Sequence, residues 1–177
     1  MSNLYLIGYR GSGKTSVAPL LAGQLGWQTL DVDQEIESVT GQSIAEIFEV
    51  DGESLFREWE STVLQAIATQ SQRVVAVGGG APMNPLNRDI MKSSGAIIWL
   101  AGSPEVLWQR IQQDPKTASM RPGLTSLDGL AEVQQLLTER TSTYEACADY
   151  TVHVDEMTPQ EVADRIAQWL DTVDNQQ

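Results

Sequence analysis

The chain has 177 residues, 41% hydrophobic and 20% charged, a composition typical of one folded domain with its own core. Its formal net charge of −13 argues against a nucleic acid or an anionic membrane as partner, because binding to either depends on a basic surface. A single cysteine, Cys147, and a single histidine, His153, exclude an intrachain disulfide and a zinc site built from these two residue types. No apolar run is long enough to span a membrane and no signal-peptide pattern is present, so we expect a cytoplasmic protein.

Short apolar runs alternate with stretches of helical periodicity along the chain. Strands are predicted at 4–7, 27–30, 73–77, 96–100 and 150–154, and most lack polar alternation, as strands buried on both faces of a parallel sheet do. Helices are predicted to begin near Lys14, near Gln34 and at Gly52, to span 127–144, and to begin again at Thr158-Pro159. Strands that alternate with helices predict a three-layer α/β fold with right-handed crossovers.

The segment 8–15, Gly-Tyr-Arg-Gly-Ser-Gly-Lys-Thr, matches the phosphate-loop pattern G-x-x-x-x-G-K-[ST] between a predicted strand and a predicted helix. Glycines in this pattern let successive N–H groups point at phosphate oxygens, and the helix N-terminus adds partial positive charge. Lys14 is expected to reach the β- and γ-phosphates of ATP, and the Thr15 hydroxyl to bind Mg²⁺. The residues expected to hold the nucleotide are Gly11, Ser12, Gly13, Lys14, Thr15 and Ser16. The alternative is a glycine-rich turn without function.

Two carboxylates, Asp31 and Asp33, end the second predicted strand. Residues two apart on an extended segment point the same way, and the carboxyl ends of parallel strands line the ligand crevice. Both side chains are therefore expected to face the phosphate loop. One carboxylate near Mg²⁺ and one that accepts a proton from a substrate hydroxyl would complete a phosphoryl-transfer site. The alternative for Asp33 is that it only caps the helix predicted to begin near Gln34.

Two later segments suit an anionic acceptor. Arg57 and Glu60 are three residues apart on one helix face, so Glu60 can hold the guanidinium for a ligand carboxylate; the alternative is an ordinary surface ion pair. The glycines at 78–80 follow the third strand and let the backbone approach a ligand closely, where the alternative is a loose turn.

The polar stretch 114–125 is predicted to be a mobile surface loop within the single domain. Its Arg121 is a candidate lid arginine that closes over the phosphates and stabilises developing charge. Arg140 lies on the long helix with Tyr144 one turn later, and by itself either could be a residue of a solvated helix face.

In this order the motifs resemble those of the shikimate kinase family over nearly the whole chain. They are Gly8 to Thr15, Asp31-x-Asp33, Gly-Glu-x-x-Phe-Arg-x-x-Glu at 52–60, Gly78-Gly79-Gly80, Arg121-Pro122 and Arg140-x-x-x-Tyr144. The resemblance implies a P-loop kinase fold with a five-stranded parallel sheet of order 2-3-1-4-5. It implies one domain over 1–177, with a substrate-binding insertion at about 34–60 and a lid at about 112–125.

The resemblance also implies the reaction, transfer of the ATP γ-phosphoryl group to the 3-hydroxyl of shikimate, in the chorismate pathway to aromatic amino acids. By matching positions, Asp33 would bind the acceptor hydroxyls and act as base, and Asp31 would belong to the Mg²⁺ shell. Arg57 and Arg140 would grip the shikimate carboxylate. The other positions expected around the acceptor are Gly78, Gly79, Gly80 and Glu60, while Lys14 and Arg121 would assist the transfer. Arg121 would contact ATP from the lid, and Arg110 and Met157 would flank adenine.

Two rival functions stay open on the sequence. One is another small-molecule kinase of the same fold, such as a gluconate or nucleotide kinase, which the paired arginines and Gly78-Gly79-Gly80 argue against. The other is a non-catalytic, nucleotide-gated module, which the retention of Asp31 and Asp33 beside Lys14 argues against. A monomer is expected, because no long heptad pattern or extra apolar face stands out.

Overall fold

The computed structural model describes residues 3–114 and 129–174, and strands and helices alternate through them. The strands are β1 (Asn3–Ile7), β2 (Gln28–Asp31), β3 (Arg73–Ala76), β4 (Gly95–Ala101) and β5 (Tyr150–His153). The helices are α1 (Lys14–Leu25), α2 (Val32–Thr40), α3 (Ile44–Glu46), α4 (Gly52–Ala68), α5 (Pro85–Ser94), α6 (Pro104–Gln113), α7 (Leu130–Cys147) and α8 (Pro159–Asp174). All five predicted strands are confirmed, with each end within one residue of its predicted position.

The five strands form one sheet of order β2-β3-β1-β4-β5, in which every neighbouring pair is parallel. This confirms the order expected from the resemblance. Leu6 of β1 pairs with Ala76 on one side and with Ile98 on the other, so β1 lies at the centre. Because parallel strands end at the same edge, the loop after β1 lies beside the residues that follow β2 and β3.

Helices cover both faces of the sheet. Leu4 and Leu6 of β1 pack in one core cluster with residues of α1 and α8. Tyr5 and Ile7 point the other way and pack with residues of α2, α4 and α7. The strands are therefore buried on both faces, as their lack of polar alternation predicts, and the three-layer α/β arrangement is confirmed.

The helix ends show which polar residues act as caps. α2 begins at Val32, and its cap is Asp31, whose Oδ1 accepts from the N–H groups of Asp33 at 3.0 Å and Gln34 at 3.4 Å. The alternative in which Asp33 caps this helix is therefore wrong, because the helix begins at Val32, two residues before its predicted start near Gln34. At α8, the Thr158 N–H donates to Glu161 and the Glu161 N–H donates back to Thr158, which confirms the predicted start.

Several elements were not predicted. Helices α5 and α6 follow β3 and β4, and a single π-helical turn (Ile47–Asp51) precedes α4. α7 ends at Cys147, three residues after the predicted end at Tyr144, while its predicted start at 127 lies outside the described residues. Most of the predicted lid, including Arg121, also lies outside them. Within 3–114 and 129–174, no helix is both long and apolar enough to cross a bilayer.

Candidate active site

A cleft of about 700 Å³ lies at the carboxyl edge of the sheet. It brings together most of the side chains and glycines that the sequence singles out. These are Gly11, Ser12, Gly13, Lys14, Thr15, Ser16, Asp31, Asp33, Gly78, Gly79, Arg110, Arg140 and Met157. Among the described residues, Arg57, Glu60 and Gly80 do not line this cleft; Gly80 follows Gly79 of its wall, Arg57 lies against Gly80, and Glu60 pairs with Arg57. The predicted nucleotide residues therefore share one space with Asp33, Gly78, Gly79 and Arg140, whereas Arg57 lines a second, separate pocket.

The phosphate loop needs its glycines for steric reasons. Gly8 and Gly11 have φ values of 142° and 81°, which side-chain-bearing residues rarely adopt. A Cβ on Gly8 would lie 2.6 Å from the carbonyl oxygen of Leu100, and one on Gly11 would lie 2.8 Å from that of Leu107. Both contacts are with backbone, which cannot move aside. The loop is thus packed tightly against β4 and α6.

The amino end of α1 points its N–H groups at the loop. α1, all of whose residues are described, has no side-chain cap and no acidic residue in its first turn. A helix start without such groups leaves N–H donors for an external anion, and the helix dipole adds to the attraction. Lys14 adds a full positive charge, with its Nζ donating to the carbonyl oxygens of Gly8 at 2.8 Å and Tyr9 at 3.0 Å. The arrangement suits phosphate oxygens.

A hydroxyl and two carboxylates face this loop. Thr15 Oγ1 donates to Asp31 Oδ2 at 3.1 Å, while the other oxygen of Asp31 caps α2. Burial, and after it the negative charge of Asp33, raise the pKa of Asp31; the hydrogen bonds from Thr15, Gln34 and Asp33 act against this. Burial and the charge of Asp33 thus disfavour the ionised form of Asp31, and a nearby cation would stabilise that form.

The donor set fits Mg²⁺. This ion prefers oxygen ligands and often takes only one or two from the protein, the others being substrate phosphates and water. Thr15 and Asp31 offer a hydroxyl and a carboxylate already in contact. In residues 3–114 and 129–174 no group of three or more His, Cys, Asp or Glu side chains could hold a metal by itself. The site therefore suits an ion that arrives with phosphates.

Arg57 is held by two carboxylates with different surroundings. Its Nη1 lies 2.6 Å from Glu60, whose side chain is fully buried, and its Nη2 lies 2.8 Å from Glu53, which is 58% exposed. The alternative of an ordinary surface ion pair is therefore wrong for Arg57 and Glu60. A Cβ on Gly80 would lie 2.7 Å from the guanidinium nitrogens of Arg57. The absence of a side chain at Gly80 therefore lets Arg57 reach the run of glycines at 78–80, called the glycine loop below.

α7 brings Arg140 and Tyr144 to the same place. The Tyr144 hydroxyl donates to the carbonyl oxygen of Gly79 at 2.5 Å. The Arg140 guanidinium lies over the ring of Tyr9, 5.7 Å from its centroid, which is a cation–π distance. A Cβ on Gly79 would lie 3.1 Å from the carbonyl oxygen of Gly8. Phosphate loop, glycine loop and α7 thus meet at one point, and Arg140 is not a free surface residue.

Arg110 also lines the cleft, from α6. Its Nη2 donates to the carbonyl oxygen of Val154 at 2.7 Å, which ties α6 to the segment after β5. Met157 lines the cleft beside it. The structure thus places both residues predicted to flank adenine on one wall.

Sequence reasoning missed three contributors to the site. Glu53 pairs with Arg57 from four residues upstream, a helical spacing that was readable. Tyr9 supports Arg140, and Arg10 lines the cleft. Both occupy the variable positions of the phosphate-loop pattern, so the pattern itself gives no signal for them.

Comparisons with known proteins point to one family. The family model for shikimate kinase matches residues 10–171. A shikimate kinase of a Synechococcus species is 45% identical over 95% of this chain and 82% of its own length. That of Thermodesulfovibrio yellowstonii is 37% identical over 99% of this chain and 98% of its own.

Solved structures give the same picture. A shikimate kinase from Acinetobacter baumannii in complex with shikimate has a TM-score of 0.90 and 34% identity, covering 97% of this chain and 94% of that one. A gluconokinase from Sinorhizobium meliloti has a TM-score of 0.56 and 18% identity, covering 97% and 96%, a likeness of fold alone.

Proposed function

The chain belongs to the shikimate kinase family, and we propose that it transfers the γ-phosphoryl group of ATP to the 3-hydroxyl of shikimate. The products are ADP and shikimate 3-phosphate, in the route to aromatic amino acids. The observation that carries the proposal is the shared cleft, in which Lys14 and Asp33 face the same space as Gly79 and Arg140.

The phosphates of ATP would bind against the first turn of α1. Their oxygens would accept from the N–H groups of 11–16 and from Lys14, whose charge is already positioned by the carbonyls of Gly8 and Tyr9. Arg110 and Met157, which both line the cleft, would flank the adenine. Arg121 would approach from the lid, outside the described residues.

Thr15 and Asp31 would hold Mg²⁺ through the hydroxyl and carboxylate that now touch each other. When bound, the ion neutralises charge on the phosphate oxygens. Asp31 Oδ1 would continue to cap α2, so the carboxylate keeps its orientation while it meets the ion.

The acceptor would occupy the part of the cleft between α2, α3 and the glycine loop. Glu37 and Ile44 line the cleft, which supports an acceptor-binding role for the predicted insertion at 34–60. Arg140 would bind the acceptor carboxylate from α7, and Arg57 from beside Gly80, where Glu60 holds it.

Asp33 would accept the proton of the attacking hydroxyl. It lines the cleft, as Asp31 does, and lies two residues after the end of β2. Because Asp31 supplies the cap of α2, Asp33 is not needed for that task. A general base must lie within hydrogen-bond reach of the proton that it accepts, which the position of Asp33 in the cleft allows. Lys14 and Arg121 would stabilise the negative charge that develops on the phosphoryl group.

The test is ADP release from Mg-ATP with shikimate, gluconate or AMP offered separately. Turnover is expected with shikimate only. Asp33→Asn should lower kcat by about 100-fold or more, because general-base catalysis contributes on that order. Glu35→Gln is the control, since it makes the same charge change on α2 at a residue that does not line the cleft.

Turnover with gluconate or AMP in place of shikimate would refute the acceptor assignment. A normal kcat in Asp33→Asn would refute the assignment of the base. The sequence also predicts a monomer working in the cytoplasm, and both stay predictions.

A further inference from the structure

Tyr144 makes a buried polar contact between two distant parts of the chain. Its side chain is fully buried on α7 and its ring packs against Trp99, with centroids 5.8 Å apart. Its hydroxyl donates to the carbonyl oxygen of Gly79, 65 residues earlier. Burial raises the pKa of Tyr144 to about 12, against the opposing effect of the Arg140 guanidinium. The phenol therefore keeps its proton near neutral pH and stays a donor.

This hydrogen bond determines the orientation of one peptide plane. The Gly79 carbonyl and the Gly80 N–H belong to the same planar unit, and in a trans peptide they point in opposite directions. No peptide bond in the described ranges is cis. In the run 78–80 no side chain restricts the backbone, and glycine adopts many conformations at similar energy. The Gly78 and Gly80 carbonyls accept from the N–H groups of Ala81 and Met83, and the Tyr144 hydroxyl is the donor that meets the Gly79 carbonyl between them.

The selected peptide lies among the groups assigned to the acceptor. Gly79 lies close to two groups: an added Cβ would be 3.1 Å from the Gly8 carbonyl oxygen and 3.6 Å from the Tyr144 hydroxyl. The Arg57 guanidinium lies against Gly80. Arg140 lies one turn before Tyr144 on the same helix. The hydrogen bond of Tyr144 thus links α7, which carries Arg140, to the glycine loop, which Arg57 contacts.

We propose that Tyr144 is a positioning residue for the acceptor. Its hydroxyl holds the glycine loop, 78–80, in the conformation that receives shikimate, at a set distance from Arg140. The acceptor then meets a preformed site and does not have to orient the Gly79–Gly80 peptide on binding. The inference rests on the proposed function, since it concerns the acceptor side of that same cleft.

The chain offers a matched control in Tyr5. It is also fully buried in the same core cluster, and its hydroxyl shares a hydrogen bond of 2.7 Å with Ser94, away from the cleft. Tyr144→Phe and Tyr5→Phe each remove one buried hydroxyl and should lower the thermal midpoint comparably. Only Tyr144→Phe should raise the KM for shikimate, by about five- to tenfold, the effect of losing one hydrogen bond. Its KM for ATP and its kcat should stay within about twofold of wild type.

An unchanged shikimate KM in Tyr144→Phe, or equal rises in the KM values for shikimate and ATP, would overturn the inference. Failure of the wild-type protein to phosphorylate shikimate would instead overturn the proposed function. Amide ¹⁵N relaxation separates the two cases, because it needs no turnover. In the ligand-free wild type the Gly80 amide should be as ordered as those of β3, and it should lose order in Tyr144→Phe. A mobile Gly80 amide in the wild type would overturn the inference even if the variant did not fold.

Discussion

Replacing either carboxylate that holds Arg57 provides a test with its own internal control. Glu60→Gln and Glu53→Gln remove the same charge from the same arginine. Glu60 is fully buried and lies 2.6 Å from Nη1, whereas Glu53 is 58% exposed and lies 2.8 Å from Nη2. The distances are similar, so the difference between the two variants reports the effect of burial.

The expected magnitudes differ several-fold. Breaking a buried ion pair costs about 3–5 kcal/mol, but Arg57 is 25% exposed and keeps Glu53, so we expect about 2 kcal/mol for Glu60→Gln. An exposed pair contributes about 0.2–1 kcal/mol, so Glu53→Gln should cost less than about 1 kcal/mol. Because Glu60 also holds the guanidinium beside Gly80, the KM for shikimate should rise about tenfold in Glu60→Gln and less than about twofold in Glu53→Gln.

Urea denaturation measures the free energy of unfolding, and steady-state assays at saturating ATP measure the KM for shikimate. Equal losses of stability in the two variants would show that burial of Glu60 does not strengthen the pair. An unaltered KM in Glu60→Gln, with the expected loss of stability, would show that Arg57 does not bind the acceptor.

Two further substitutions test the glycine loop and the carboxylate pair. Gly79→Ala should raise the KM for shikimate about tenfold, because the added Cβ would lie 3.1 Å from the Gly8 carbonyl oxygen. The control is Gly23→Ala in α1, whose Cβ would contact nothing and which should stabilise the protein by about 0.5–1 kcal/mol. The same shikimate KM in the two variants would contradict the expectation for Gly79. Because the pKa of Asp31 is raised in the folded protein, the folded state binds a proton there more tightly than the unfolded state does. Protonated Asp31 therefore favours folding at low pH, and this contribution is lost as pH rises through that pKa. Asp31→Asn keeps an effective helix cap and removes the repulsion between Asp31 and Asp33. The variant should therefore have a higher thermal midpoint than wild type at pH 7 without Mg²⁺, and it should bind ADP more weakly in the presence of Mg²⁺. A thermal midpoint below that of wild type would contradict this.

Local patterns explain why so much of the fold could be predicted. Strands buried on both faces leave continuous apolar runs, and the phosphate-loop pattern marks the junction of β1 and α1. Helices α5 and α6 were missed although both begin with proline at the first turn, a readable signal. The sequence pattern predicts the start of α2 near Gln34, two residues after its observed start at Val32, and for that reason it leaves capping by Asp33 open as an alternative.

The site shows a sharper division. Spacing along a helix predicted that Arg57 and Glu60 meet, but the full burial of Glu60 depends on packing that spacing does not contain. The contact of Tyr144 with Gly79 joins residues 65 apart, and it exists only because α7 packs beside β4 and the segment that follows β3. Contacts of this kind follow from the tertiary fold, so local periodicity could not predict them.

The central claim is that one cleft brings the γ-phosphoryl group of ATP to the 3-hydroxyl of shikimate. The most direct measurement follows the phosphoryl group itself, using ATP labelled at the γ-phosphate, shikimate and Mg²⁺. We predict that the label is recovered in a shikimate ester at the 3-hydroxyl, and that the Asp33→Asn variant forms this ester at least about 100-fold more slowly. Label recovered only as inorganic phosphate, or at another hydroxyl of shikimate, would contradict the account.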